Sequence, residues 1–238
     1  MRTKKIQLLV IALLLVVWAC RRETRRLTSY PVQGIDISHH QQHIDWSQIA
    51  AQNIRFAFLK ATEGSDHIDS LFERNWAAVK QAGIVRGAYH YFSPYSDPER
   101  QAGHFIARVK LDSADLPPVL DVEIKGRLDM AQLRRNVLKW MEVIEKYYRR
   151  TPILYTNQKY YLLYFAGRDF DRFPLWIARY NSGQTPPRML FDRRWTFWQY
   201  GSCGRLNGID GCVDFNVFNG SLTDFQNFLS TAGRRDTL

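Results

Sequence analysis

From Pro31 onward, short apolar runs alternate with stretches whose apolar residues recur at helical spacing. Runs 32–37, 56–60, 84–91, 119–123 and 153–156 are short and largely apolar, and read as strands. Between them, 46–52, 71–82, 98–110 and 130–148 have helical spacing. Leu71, Phe72, Trp76 and Val79 share one face, and Gly83 follows as a stop. Pro98 suits a first helical turn. The longest helix places Leu133, Val137, Trp140, Ile144 and Tyr147 on one stripe. Alternation of strand and helix implies parallel strands. Further along it stops, and 175–178, 196–200 and 213–217 read as strands separated by loops rich in Gly, Pro and Asn. About eight strands closing on themselves give an α/β fold, an irregular (β/α) barrel with helices mainly in its first five units. There is no internal repeat, low-complexity tract or second-domain boundary.

The N-terminus has a different texture. Arg2, Lys4 and Lys5 precede an apolar run over residues 6–19, shorter than the ~20 residues a spanning helix needs. This is the form of an export signal over residues 1–20. Val17-Trp18-Ala19-Cys20 resembles a lipobox, although bulky Trp18 departs from the usual small residue. Lipid attachment at Cys20, plain signal cleavage and an uncleaved anchor are all compatible with it. A membrane partner is expected through Cys20, in a bacterial envelope. Residues 21–31 are basic and polar and read as a flexible tether, leaving 32–230 for the barrel. The net charge of +10 is concentrated here: residues 1–26 carry a net +6, which leaves +4 for the remainder. That is too mild to argue for nucleic acid, and no nucleic-acid motif is present. With Cys20 set aside, Cys203 and Cys212 remain, flanking a Gly-rich turn. An oxidising envelope allows a disulfide between them, and two free thiols are the other reading.

The candidate chemistry lies in carboxylates at strand ends. Asp36 ends the first strand, Asp121 and Glu123 the fourth, and Asp214 starts the last. Strand C-termini of a parallel barrel share one face, where active sites are built. Residues two apart on a strand point the same way, with backbones about 6.5–7 Å apart. Two carboxyls at that range suit hydrolysis of a sugar bond, one donating a proton and the other attacking or stabilising. Like-charge crowding keeps one of them protonated near neutral pH. The plain alternative is solvated or capping carboxylates.

Around these residues the chain resembles the family 25 glycoside hydrolases, the Chalaropsis-type lysozymes. The resemblance runs from residue 32 to 220 and includes GIDISHHQ at 34–41, IDW at 44–46, FAFLKATEG at 56–64, GAYHYF at 87–92, LPPVLDVE at 116–123, PILYTN at 152–157, PLWIARYN at 174–181, FWQY at 197–200 and GIDGCVDFNVFNG at 208–220. It implies a flattened barrel with an acidic groove, and hydrolysis of the β-1,4 bond between N-acetylmuramic acid and N-acetylglucosamine in peptidoglycan. It implies Glu123 as proton donor and Asp121 as second catalytic carboxylate, acting either as nucleophile or on the substrate's own acetamido group. Asp36 and Asp214 match the remaining groove carboxylates, and Tyr89, Tyr155, Trp176 and Gln199 match groove-lining positions. No cofactor is implied. A different class of function, a non-catalytic peptidoglycan-binding envelope lipoprotein, would keep the groove without turnover. The presence of all four carboxylates favours the enzyme.

Other polar residues point less clearly. His39 and His43 could share a metal only on a helix, and this stretch reads as strand and turn, so loop hydrogen bonding is expected of His39, His40 and His43. Lys60 and Glu63 flank the end of the second strand and could pair beside the groove. No Gly-x-Ser-x-Gly elbow supports a serine triad.

Overall fold

A computed structural model describes residues 23–190 and 192–231. The export segment and Cys20 lie outside the described residues.

The strands are β1 (Gln33–Ile37), β2 (Phe56–Glu63), β3 (His67–Ile68), β4 (Val85–Tyr91), β5 (Val119–Asp121), β6 (Ile153–Asn157), β7 (Leu175–Ala178), β8 (Phe197–Gly204) and β9 (Val213–Phe218). Eight of them stand in the order β1-β9-β8-β7-β6-β5-β4-β2, and pairing of β1 with β2 closes the barrel. The two residues of β3 only fold back on β2. Neighbours from β1 through β8 pair in parallel, as the strand–helix alternation implies. The exception is β9, which runs antiparallel to both β8 and β1. Only residues 205–212 separate β8 from β9, too few for the crossover that a parallel pair requires. A hairpin results, and the start of β9 lies at the same end as the C-termini of the parallel strands.

Helices α1 (Trp46–Ala51), α2 (Phe72–Gln81), α3 (Pro98–Arg108) and α4 (Met130–Tyr148) follow the early strands, and α5 (Leu222–Thr231) follows β9. Their starts are set by side chains that accept orphan backbone N–H groups: Asp45 for α1, Asp97 for α3, and Asp129 with Gln132 in a reciprocal box for α4. After β6 the crossover is a short irregular helical stretch, 158–165, in place of a full helix.

Strand alternation divides the core. On β2, Phe56 and Phe58 point into the barrel with Val119, Ile153, Trp176 and Phe197. Ala57, Leu59 and Ala61 face the helices, where Trp76, Phe105, Val137 and Trp140 cover them. Gly34 and Gly87 make room for the two inward rings: a Cβ at Gly34 would lie 2.3 Å from Phe56, and one at Gly87 would lie 2.6 Å from Phe58. Phe225 of α5 joins the barrel interior from the end away from the carboxylates.

The described part of the expected tether is not free. Leu27 and Tyr30 pack on the core, and Tyr30 meets the rings of Trp195 and Trp198. Gln33 donates to the carbonyls of Leu27 and Tyr30, at 2.7 and 2.5 Å. The basic composition of this arm gave no hint of these partners, of which Trp195 and Trp198 come from a distant part of the chain.

Cys203 and Cys212 are joined in a disulfide across the β8–β9 hairpin, their Cα atoms 4.4 Å apart. Closing so short a loop removes about 2.5–3 kcal/mol of chain entropy from the unfolded state. Reduction with a thiol should therefore lower the melting temperature by about 5–10 °C. A calorimetric scan of the oxidised and reduced protein checks this; an unchanged midpoint would show that the bond adds nothing to stability.

Candidate active site

The C-terminal ends of the parallel strands surround a groove of about 410 Å³. Asp36, Tyr89, Asp121, Glu123, Tyr155, Trp176, Gln199 and Asp214 all line it. The eight side chains singled out in the sequence are thus brought to one place. Asp36 and Asp214 are direct cross-strand partners on β1 and β9. That juxtaposition depends on the reversed direction of β9: in a parallel strand, Asp214 would sit at the opposite end of the barrel.

Strand β5 ends at Asp121, two residues before the expected end at Glu123. The extended course continues nonetheless. The Val122 N–H donates to the Tyr155 carbonyl at 2.9 Å, and the Thr156 hydroxyl donates to the Val122 carbonyl at 2.6 Å. Glu123 is thereby delivered to the groove mouth, where it is open to solvent on one side, while Asp121 lies buried below it. Their carboxyls are within hydrogen-bonding reach of each other. Asp121 Oδ1 is buried and receives no hydrogen bond.

Asp36 is held differently. Its Oδ2 accepts from Gln199 Nε2 and Asn216 Nδ2, both at 2.7 Å. Behind these donors, Tyr155 and Tyr180 donate to Gln199 Oε1 at 2.6 and 2.5 Å, and Trp176 Nε1 donates to Asn216 Oδ1 at 2.7 Å. Each amide is locked so that its NH2 group faces Asp36. Burial keeps the two phenols protonated far above the ordinary tyrosine range, so they remain donors.

Burial is also the first cause of the carboxyl shifts. Asp36 is pushed up to about 6 by burial, against the lowering effect of Asn216, Gln199 and Asp214. Asp121 is raised well above the carboxylate range by burial, then by the charges of Glu123 and Asp36. Glu123 is raised by burial, with Asp121 and Lys60 pulling it back. Like-charge crowding, expected to keep one carboxyl protonated, thus raises Asp121 and not Glu123. The Asp121–Glu123 pair keeps a proton at pH values where free carboxyls have lost theirs.

Lys60 pairs with Glu63 at 2.6 Å and lies over the Tyr91 ring, 5.1 Å from its centroid. Its charge lowers both Asp121 and Glu123. Lys60→Met should raise both, so the pair keeps its proton longer and the alkaline limb of the pH–kcat/KM profile moves to higher pH. A profile that stays in place would show that Lys60 does not act on the pair.

The histidine cluster has become a turn. Residues His39–Gln41 form one 3-10 turn, His39 Nδ1 lies 2.8 Å from buried Asp69 Oδ2, and His40 reaches the groove wall. Among the described residues, no group of three or more His, Cys, Asp or Glu is disposed to hold a metal ion. Asn216 and Tyr180 were not singled out in the sequence. Alternation with Asp214 along β9 could have exposed Asn216, and Tyr180 lies four residues beyond Trp176 in the same motif. Ser38, Gln41 and Ser202 also line the groove and carried no signal of their own.

Residues 35–209 match the model of the family described as Glycosyl hydrolases family 25. The chain belongs to this family. It is 40% identical over 206 residues to the uncharacterized protein YegX of Escherichia coli (strain K12), covering 84% of this chain and 74% of that one. It is 34% identical over 203 residues to lysozyme M1 of Streptomyces globisporus, covering 80% and 68%. A solved family 25 glycosyl hydrolase from Bacillus anthracis superposes with a TM-score of 0.79 at 35% identity, covering 87% of this chain and 98% of that structure. This family 25 chain is a glycoside hydrolase of the lysozyme type.

Proposed function

We propose that the groove cuts the β-1,4 bond between N-acetylmuramic acid and N-acetylglucosamine in peptidoglycan, with Glu123 as proton donor and Asp121 as holder of the substrate's acetamido group. The observation that carries the second role is Asp121 Oδ1, which is buried in the groove without a hydrogen-bond partner. An attacking carboxylate and its acid stand about 5–5.5 Å apart, and a water-activating pair stands about 6.5–9.5 Å apart. Carboxyls in mutual hydrogen-bond reach leave no room for the water of the second arrangement. Asp121 Oδ1, buried and without a donor, is placed to accept the acetamido N–H. The acetamido oxygen then attacks C1 as the glycosidic oxygen takes the Glu123 proton and leaves. Water, losing a proton to Glu123, opens the cyclic intermediate and restores the acetamido group. Binding of the N–H favours ionised Asp121, which leaves the shared proton with Glu123 where it is needed.

The test is digestion of purified sacculi followed by mass spectrometry and proton NMR of the new ends. Reducing muramic acid ends with retained configuration are expected. Reducing glucosamine ends would refute the bond assignment. Inversion would move the second role to water activated by Asp36 and Asp214.

The location follows from the N-terminus. Lipid on Cys20 would anchor the protein in an envelope membrane; the basic n-region, the apolar run and Ala19-Cys20 support this. From Cys20 to the docked Thr24 there are four residue steps, a reach of at most about 14 Å. The enzyme would work on wall close to its membrane. Intact mass of the detergent-extracted protein decides it, and cleavage elsewhere with an unmodified terminus would refute the anchor.

A further inference from the structure

Tyr180 and Ser202 stand at one end of the catalytic groove's lining. A second hollow of about 580 Å³ opens beside it and shares those two residues. Asn181, Ser182 and Gln184 line one side of this hollow. The other side is not part of the barrel: Glu23, Thr24 and Arg25 of the N-terminal arm form it.

This wall is built in. The Thr24 N–H donates to the Cys203 carbonyl at 2.7 Å, extending the edge of β8. Gln184 Nε2 donates to the Arg25 carbonyl at 2.6 Å, tying the arm to the facing loop. The Arg26 guanidinium donates to the Gln52 carbonyl at 2.7 Å. Beneath the arm, β8 carries Gly201, where a Cβ would fall 2.1 Å from Thr24 Cγ2. The barrel thus holds a notch where Thr24 crosses β8.

The surface of the hollow is of mixed character. Tyr180, a residue 52% exposed, stands at the junction with the catalytic groove. Ser182 and Ser202 bring hydroxyls, and Arg25 stands exposed on the wall. A pyranose lays its C–H face on an aromatic ring and its hydroxyls on such polar groups. A guanidinium matches the carboxylates of the peptides borne by muramic acid. We propose that residues 23–25 form a fixed outer wall of the substrate groove, and that the hollow behind it binds the next saccharide units of the glycan strand beyond the bond that is cut. This rests on the muramidase reading of the catalytic groove. The arm is then a specificity element, making the enzyme favour long strands over short fragments.

The experiment compares kcat/KM for two soluble peptidoglycan fragments: the shortest one turned over, and one longer by two disaccharides. The wild type should favour the longer fragment by tenfold or more. Gly201→Val pushes the arm out of its notch, and Thr24→Pro removes the N–H that bonds to Cys203. Each should cut the preference to about twofold or less. The ratio is taken within each variant, so a general loss of catalytic power cancels, and Thr24→Pro decides the matter if Gly201→Val does not fold. A wild type without chain-length preference, or a folded variant that keeps the full preference, overturns the proposed wall and leaves the muramidase reading intact. No turnover of either fragment by the wild type overturns both.

Discussion

Glu123→Gln is expected to lose wall-lytic activity by at least 10²–10⁴-fold while keeping its fold. Proton donation to a leaving alkoxide is worth that much in rate, and an amide of the same size has no acidic proton to transfer. The fold should be spared because Glu123 sits at the groove mouth, beyond the last residue of β5, with one side open to solvent. The side chains that shift its carboxyl, Asp121 and Lys60, are neighbours at the groove. Release of reducing ends from purified sacculi measures the loss, and a melting curve shows that the fold survives. A substrate whose leaving group departs without a proton should recover much of the rate. Near-normal turnover of natural wall by the folded variant would remove Glu123 from the donor's role.

Asp121→Asn should lose about 10²–10³-fold in kcat, the loss seen when one preorganised group facing a developing charge is removed, and should become more stable at the same time. Burial raises the folded-state pKa of Asp121 well above its unfolded value of 3.8. A carboxyl shifted in that direction supports the fold below about pH 4. It withdraws that support as pH rises toward the raised value. Asparagine has no such titration, so at pH 8 the variant should melt above the wild type, and the gap should close toward pH 4. Asp36, pushed up to about 6, adds a similar cost between about pH 4 and 6. A variant that is inactive but destabilised at every pH would show that the Asp121 charge serves the fold rather than the chemistry. The cost is the kind expected where a fold holds carboxyls out of water for reaction.

Much of the barrel could be read directly from periodicity. The helix expected over 130–148 is α4 residue for residue, because a long apolar stripe with Asp129 before it leaves little choice of start or face. Buried strands such as β2 and β4 were legible because both faces are largely covered, which enriches them in apolar residues. Two features were not. Strand β2 runs on through Glu63 past a register shift near Lys60, and its polar end carries no strand signal. Helix α5 follows a Gly-Ser turn and buries Phe225, but its apolar positions are few.

At the site, the sequence by itself determined which residue types stand at strand ends: Asp36, Asp121, Glu123 and Asp214, with the aromatic and amide groups between them. Only the tertiary structure decided what they do to one another. The direction of β9 is set by a connection too short to cross over, and it alone brings Asp214 beside Asp36. The orientation of Asp36 comes from Gln199 and Asn216, each held by a ring from another strand. The raised pKa values depend on burial, which belongs to the assembled groove and to no residue in it. The docking of residues 23–30 likewise rests on Gln33, Tyr200, Cys203 and Gln184, most of them more than 150 positions away. Periodicity reports local geometry and which face is apolar; charge, solvation and long-range partners exist only once the chain has closed.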